Sequence, residues 1–272
     1  MRSAIGRLNI GYYKKLLANE AEPEKRQILL RLLSEEKAKL VSFSCNKTVT
    51  PSNDIVHDLS RVVVHGCIQT SVRNSILELR RGPILERKKH TVFVQGDPAD
   101  YIILVVHGTI RTCRYAHSGK RSVVGFYFEG DTLGWSDEKV RSLTAEAATD
   151  CTLLYLKRSS LTALASQNPL VKDFILAATK NELRRAQEYS LLIGKDANSR
   201  TAAFLFDLWD RIGKSDSLII PMTYQDIADH LGLSLECVSR TINSLIRTEI
   251  FGRISCHELA LRNRSSLKRL AG

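Results

Sequence analysis

The chain has no apolar run longer than the six residues Tyr101–Val106, far short of the roughly 20 residues needed to span a bilayer as a helix. No signal-like apolar core opens it, because Tyr12, Lys14, Lys15 and Glu20 interrupt the first stretch; the expectation is a soluble, cytoplasmic protein with no membrane partner. The six cysteines, Cys45, Cys67, Cys113, Cys151, Cys237 and Cys256, are scattered, and none forms a CxxC pair. That argues against a zinc or iron–sulfur site and leaves reduced thiols, several of them buried. A nucleophile–base spacing, a phosphate-binding glycine loop and a metal motif are all missing, so the sequence offers no route to catalytic turnover. Acidic residues are the scarcer charge, 29 against 40 lysines and arginines, for a net charge of +11. Such an excess suits a polyanionic partner.

What is present concentrates near the C-terminus, in residues 223–247, TYQDIADHLGLSLECVSRTINSLIR. Pro221 ends the extended run Leu218-Ile219-Ile220, and Thr223 is placed to cap a helix running to about Leu231. Ile227, Ala228 and Leu231 lie at helical spacing on one side. Gly232 permits the left-handed backbone of a short turn. Ser234 can cap a second helix, whose buried face is Val238, Ile242, Leu245 and Ile246. Glu236, Ser239, Arg240 and Asn243 point elsewhere. The pattern is a helix-turn-helix, which makes double-stranded DNA the expected partner. Its second helix lies in the major groove with N-terminal residues against the bases. Arg240 is suited to a bidentate pair with guanine O6 and N7, Glu236 to accepting from a cytosine N4 amine, and Ser239 is small enough to let the helix sit deep. An ordinary helical hairpin with a solvated face is the bland alternative.

Upstream, residues 1–74 read as a helical N-terminal extension and linker, with amphipathic helices broken at Ala21–Pro23 and a polar stretch over 42–58. Over 75–165, short β-prone runs alternate with turn signals such as Gly96-Asp97-Pro98 and Gly130-Asp131, which predicts a compact β-roll or barrel. A long helix follows over 166–195, with Asn168 as N-cap, Pro169 in the first turn and Gly194 as its stop. Leu176, Thr179, Leu183, Ala186, Ser190 and Ile193 recur by threes and fours along it, the seam of a coiled coil. A dimer buries such a seam and provides two reading helices; packing on the protein's own core is the alternative. Residues 196–272 then carry a helix over about 199–212 and the DNA-reading unit.

In this order, the segments GDPADYI (96–102), VVHGTIRTCR (105–114), LTAEAATDCTLLYLKRSSL (143–161), ELRRAQEYSLLIGK (182–195), RTAAFLFDL (200–208) and MTYQDIADHLGLSLECVSRTINSL (222–245) resemble the CRP/FNR family of bacterial transcription regulators, and most closely its FixK-like branch. The resemblance runs from about Ile76 to the C-terminus. It implies an α+β chain: a cyclic-nucleotide-binding-like β-roll, a long dimerisation helix and a C-terminal winged helix-turn-helix. It further implies a homodimer that binds a palindrome upstream of promoters and recruits RNA polymerase, with a role in microaerobic or nitrogen-fixation gene control. Glu236, Ser239 and Arg240 match the family's FNR/FixK-type reading triplet, and Leu235 stands where the CRP type has arginine. A TTGAT-N4-ATCAA-like site is therefore implied. Thr223, Gly232, Ser234 and Arg247 would support the helix-turn-helix or touch phosphate. In the wing, Phe251–Ile254 and Ser265–Leu270 fit the family's hairpin strand and final helix loosely, and Cys256-His257-Glu258 do not match it.

Cyclic-nucleotide binders of the family carry a Gly–Glu pair, then Arg–Ser. Here Gly134 is followed by Trp135, and Arg141-Ser142 stand without the glutamate, so no cAMP-like ligand is expected. The FNR-type N-terminal cysteine group is missing too, so no iron–sulfur cluster is expected, and His57, His65, His90, His107 and His117 read as ordinary surface or core residues rather than haem ligands. Control through synthesis, as in FixK-like regulators, is the default. Two alternatives stay open: a ligand- or redox-switched regulator, with Cys237 beside Glu236 as the oxidisable thiol, and a paralogue that dimerises without activating.

Overall fold

The computed structural model describes residues 80–116, 119–135, 139–213 and 217–272, all within one compact unit, Pro51–Gly272. The expected extension over 1–74, with Cys45 and Cys67, lies outside the described residues.

Eight strands form the roll: β1 (Arg80–Glu86), β2 (Thr91–Phe93), β3 (Tyr101–His107), β4 (Ile110–Tyr115), β5 (Arg121–Tyr127), β6 (Thr132–Leu133), β7 (Thr144–Ala147) and β8 (Cys151–Lys157). They pair antiparallel in two four-stranded sheets, β1-β8-β3-β6 and β2-β7-β4-β5. Period-two alternation on β3 sends Ile103 and Val105 into the core between the sheets, with Ile110, Tyr127, Leu133 and Leu153. Its other face sends Ile102 toward Leu161, Val171 and Phe174, so this strand is buried on both sides and reads as a continuous apolar run.

Helix α1 (Arg158–Gln167) continues straight from β8. The sequence pattern gave no sign of it: Lys157 provides no side-chain cap, and Ser159, Ser160 and Thr162 are indifferent helix formers. Helix α2 (Pro169–Ile193) starts where expected, with the Asn168 side chain accepting from the Leu170 amide and proline in the first turn. Only Val171 and Phe174 of α2 are fully buried. Leu176, Thr179, Leu183, Ala186, Ser190 and Ile193 are all exposed, so the seam does not pack on the protein's own core.

Helix α3 (Ala197–Ile212) begins two residues earlier than the sequence pattern indicates, because Asp196 caps it by accepting from the Asn198 and Ser199 amides. Strand β9 (Ser217–Ile219), helices α4 (Tyr224–Leu231) and α5 (Leu235–Arg247), strands β10 (Phe251–Arg253) and β11 (Glu258–Leu261), and helix α6 (Arg264–Ala271) complete the chain. The small sheet has the order β10-β11-β9. Helices α3, α4, α5 and α6 enclose a core of Leu205, Leu208, Ile227, Ala228, Leu231, Val238, Ile242, Leu245 and Leu267. That core is continuous with Cys113, Val123, Phe126 and Phe128 of the roll. Each buried leucine-sized side chain adds about 1.5–3 kcal/mol relative to exposure, so the two layers hold each other through apolar area as well as polar contacts.

Candidate DNA-reading interface

The reading unit is assembled by local chemistry. Thr223 accepts from the Asp226 amide (3.1 Å), and the Asp226 carboxylate accepts from the Thr223 amide (3.1 Å), a reciprocal box that satisfies two otherwise orphaned donors. Gly232 closes α4 in the left-handed region, φ 65°, where a Cβ would be strained. Ser234 accepts from the Cys237 amide (3.2 Å) and starts α5. Val238, Thr241, Ile242 and Leu245 turn inward, and Thr241 donates to the Asn198 side chain (2.8 Å), which ties α5 to α3.

That inward face fixes the outward one. Glu236, Ser239, Arg240 and Asn243 follow each other at helical spacing on the opposite side; Glu236, Arg240 and Asn243 are exposed and Ser239 half-buried. Leu235, Glu236, Ser239 and Arg240 line one shallow hollow. The side chains of Glu236, Ser239 and Arg240 make no hydrogen bond or ion pair among the described residues, so their donors and acceptors are uncommitted. Cys237 is half-buried in the first turn, its carbonyl accepting from Thr241 (3.0 Å).

The segment that fitted no wing pattern is the tip of one. Residues 254–257 join β10 to β11, with the Ile254 and Ser255 amides both donating to the Glu258 carbonyl (3.0 and 3.1 Å). Cys256 is exposed at this tip. Arg253, at the end of β10, donates to the Asn243 side chain (2.7 Å), which links wing and reading helix. Arg247 stands exposed at the end of α5, among the cations suited to phosphate.

Two family profiles match the chain: a cyclic nucleotide-binding domain over residues 87–168 and a Crp-like helix-turn-helix domain over 199–270. The nitrogen fixation regulation protein FixK of Azorhizobium caulinodans is 36% identical over 194 residues, covering 69% of this chain and 78% of that protein. The chain belongs to the FixK-like branch of the CRP/FNR family of transcription regulators. FixK of Rhizobium meliloti is 37% identical over 155 residues, 57% of this chain and 70% of that protein. The solved structure of FixK2 from Bradyrhizobium japonicum superposes with a TM-score of 0.67 at 34% identity, covering 70% of this chain and 96% of that one.

In this FixK-like regulator Trp135 and Arg141, which stand where the family's nucleotide-binding residues are expected, are engaged by the protein's own groups. The indole of Trp135, at the position of the nucleotide-binding glutamate, donates to Thr132 Oγ1 (2.9 Å) and meets Phe174 of α2 edge-on, centroids 6.3 Å apart. Arg141 is buried; it donates to the carbonyls of Tyr101 and Gly134, and its guanidinium lies 4.3 Å above the Phe93 ring. Gly134 has φ 95°, and a Cβ there would sit 2.3 Å from Arg141 Nη1, so the arginine rests directly on the glycine.

The sequence reading missed a set of charged residues on the far side of α4. Arg111 of β4 donates through Nη1 to both Asp226 oxygens (3.0 and 2.9 Å) and through Nε and Nη2 to Glu146 of β7 (3.0 and 2.8 Å). Arg121 of β5 donates to Asp229 (2.9 and 2.6 Å) and Asp226 (2.8 Å). Burial alone pushes the Asp226 carboxyl up; the Thr223 hydrogen bonds and the charges of Arg111 and Arg121 more than offset it and hold it below the usual carboxylate range. Next to them His230 is buried among Phe126, Tyr189 and Phe204. Its Nδ1 lies 3.1 Å from the Val123 carbonyl, which can only accept, so Nδ1 carries the proton. Burial lowers its pKa to about 4. The i, i+3 spacing of Asp226 and Asp229 was the one sequence signal of this face.

Proposed function

We propose that this transcription regulator acts as a homodimer on an FNR/FixK-like palindrome, TTGAT-N4-ATCAA, with one α5 in each half-site. The observation that carries the reading is the set of uncommitted side chains Glu236, Ser239 and Arg240 at the N-terminal end of the outward face of α5. Dimerisation through α2 is supported by a seam whose Leu176 and Leu183 are 52% and 60% exposed: a leucine stripe open to water on a long helix is what a second copy would cover. Glu236 then accepts from cytosine N4, Arg240 donates to guanine O6 and N7, and Leu235, 44% exposed, offers a thymine methyl an apolar contact in place of an arginine's donors. Thr223, Ser234, Arg247 and the wing arginines flank this face as candidates for phosphate.

The regulator is read as a cytoplasmic activator that recruits RNA polymerase at promoters of microaerobic or nitrogen-fixation genes, by analogy with its relatives. No helix among the described residues is long and apolar enough to cross a membrane. We infer binding without a cyclic nucleotide. Trp135 supplies no carboxylate for a ribose, and both terminal nitrogens of Arg141 donate to protein carbonyls, its buried Nε alone lacking a partner among the described residues; both observations support that reading. Selection of bound duplexes from a random pool by purified protein, without effector, tests it. Enrichment of the palindrome is expected. Enrichment of a single half-site would remove the dimer, and enrichment only after adding a cyclic nucleotide would remove the ligand-free reading.

A further inference from the structure

The roll and the reading unit are joined through α4, and both ends of that short helix are fastened. From its first turn to Asp229 the charges alternate in one continuous line: Glu146, Arg111, Asp226, Arg121, Asp229. Three carboxylates hold two guanidinium groups, and the remaining acceptor sites are used as well. Thr223 Oγ1 is 2.7 Å from Asp226 Oδ2, and Gln225 Nε2 donates to Asp229 Oδ1 (2.7 Å). The Asp226 side chain is 2% exposed and that of Arg111 13%. At the other end Arg200 of α3 donates to the Leu231 carbonyl that terminates α4 (2.8 Å), to the carbonyl of Ile193 at the end of α2 (2.7 Å) and to that of Lys195 just past it (2.9 Å). Between the two ends, Tyr189 of α2 donates to the His230 carbonyl (3.1 Å).

A buried ionic line of this kind adds little net stability compared with apolar packing of the same volume, because desolvation offsets the attraction. What it does add is geometric demand. Each arginine satisfies its partners in one orientation of α4 against β4 and β5, and a rotation would strand buried charge. Helix α4 carries α5 with it through Ile227, Ala228, Leu231, Val238 and Ile242. The orientation held in this way leaves the α5 reading face exposed rather than covered.

We propose that Arg111 and Arg121 of the roll are positioning residues for DNA binding: through Asp226 and Asp229 they lock α4, and with it the reading helix, at the angle that sets the distance between half-sites. The proposal rests on the dimeric reading above. Locking predicts an effect on spacing and none on base identity, which a merely structural role would not separate.

The test uses the full chain and the palindrome that the wild type itself selects, so that a wrong assignment of TTGAT-N4-ATCAA does not decide it. Fluorescence anisotropy compares wild type, Arg121→Gln and the charge-keeping Arg121→Lys on that site, on sites one base pair shorter or longer, and on sites with one altered half-site base. Arg121→Gln should lose affinity for the selected site by about tenfold, the loss equivalent to roughly 1.4 kcal/mol, and discriminate less between spacings, with base discrimination unchanged. Arg121→Lys, which keeps a cation against Asp226 and Asp229, should retain part of both. Hydrogen exchange without DNA separates unlocking from unfolding: α4 and β5 should lose protection in Arg121→Gln while the inward face of α5 keeps it. Unchanged spacing preference, or tighter binding on breaking the line, overturns the proposal. If the wild type selects only half-sites, the dimeric reading fails and the spacing role with it; protection of α4 unaltered by Arg121→Gln would overturn the lock alone.

Discussion

Arg240 is exposed on α5 with its guanidinium unengaged, so its removal costs the folded protein nothing that the structure shows and should cost the complex a bidentate pair. Arg240→Ala is expected to weaken specific binding by about 1–3 kcal/mol and relax preference at one base pair; an anisotropy titration against every base at that position checks this. The thiols divide just as sharply. Burial pushes the Cys113 thiol up to about 11 and raises that of Cys151, whereas Cys237 is half-buried and Cys256 exposed. Brief treatment of native protein with N-ethylmaleimide, followed by peptide mapping, should label Cys237 and Cys256 and spare Cys113 and Cys151. Labelling of Cys113 at a rate equal to that of Cys256 would contradict this burial. Among the described residues, the two accessible thiols lie on the reading helix and the wing tip, so their alkylation should also lower DNA affinity.

Among the described elements, α2 carries an exposed apolar stripe that packs on none of the buried cores. Leu183 touches none of the three buried cores, so Leu183→Lys should leave the fold and its far-UV circular dichroism intact. Light scattering should show the variant as a monomer, and its affinity for the palindrome should drop to that of a single half-site. A dimeric Leu183→Lys protein would place the partner elsewhere. Elements built by neighbours in sequence were legible in advance. The Thr223 cap, the Gly232 turn, the Ser234 cap and the Asn168–Pro169 start each depend on groups within three or four residues. Helix α1 was not, because it begins without a side-chain cap. Two-residue β6 is too short to show a period. The line of charges at α4 was not legible either, since the links that tie Arg111 and Arg121 to Asp226 span 115 and 105 residues and only the packing of α4 on the roll brings them together. The outward face of α5 was found because an inward apolar stripe fixes where the polar one must be.

For the whole molecule, the shared core makes roll and reading unit answer to acid together. His230 titrates near 6.5 in the unfolded chain and at about 4 when folded. The unfolded chain therefore takes up the proton first as pH falls. The stability linked to this group is complete above about pH 6.5 and declines as pH drops toward 4, by about 3 kcal/mol in all. Asp226, held below the usual carboxylate range, stays charged through that window, so the ionic line persists while the aromatic box around His230 loosens. Thermal unfolding followed from pH 7 to pH 4 should show a steeper fall for wild type than for His230→Phe; equal slopes would assign the acid sensitivity elsewhere. The charges at α4 have one more consequence. They are paired with each other, mostly buried, and screened less by added salt than exposed charges are. The cations on the DNA-facing side have no such insulation, and every phosphate they neutralise releases a counterion. Sodium chloride added to a binding assay should thus peel the protein from the duplex while its two layers stay docked, and the steepness of that release would count phosphates touched.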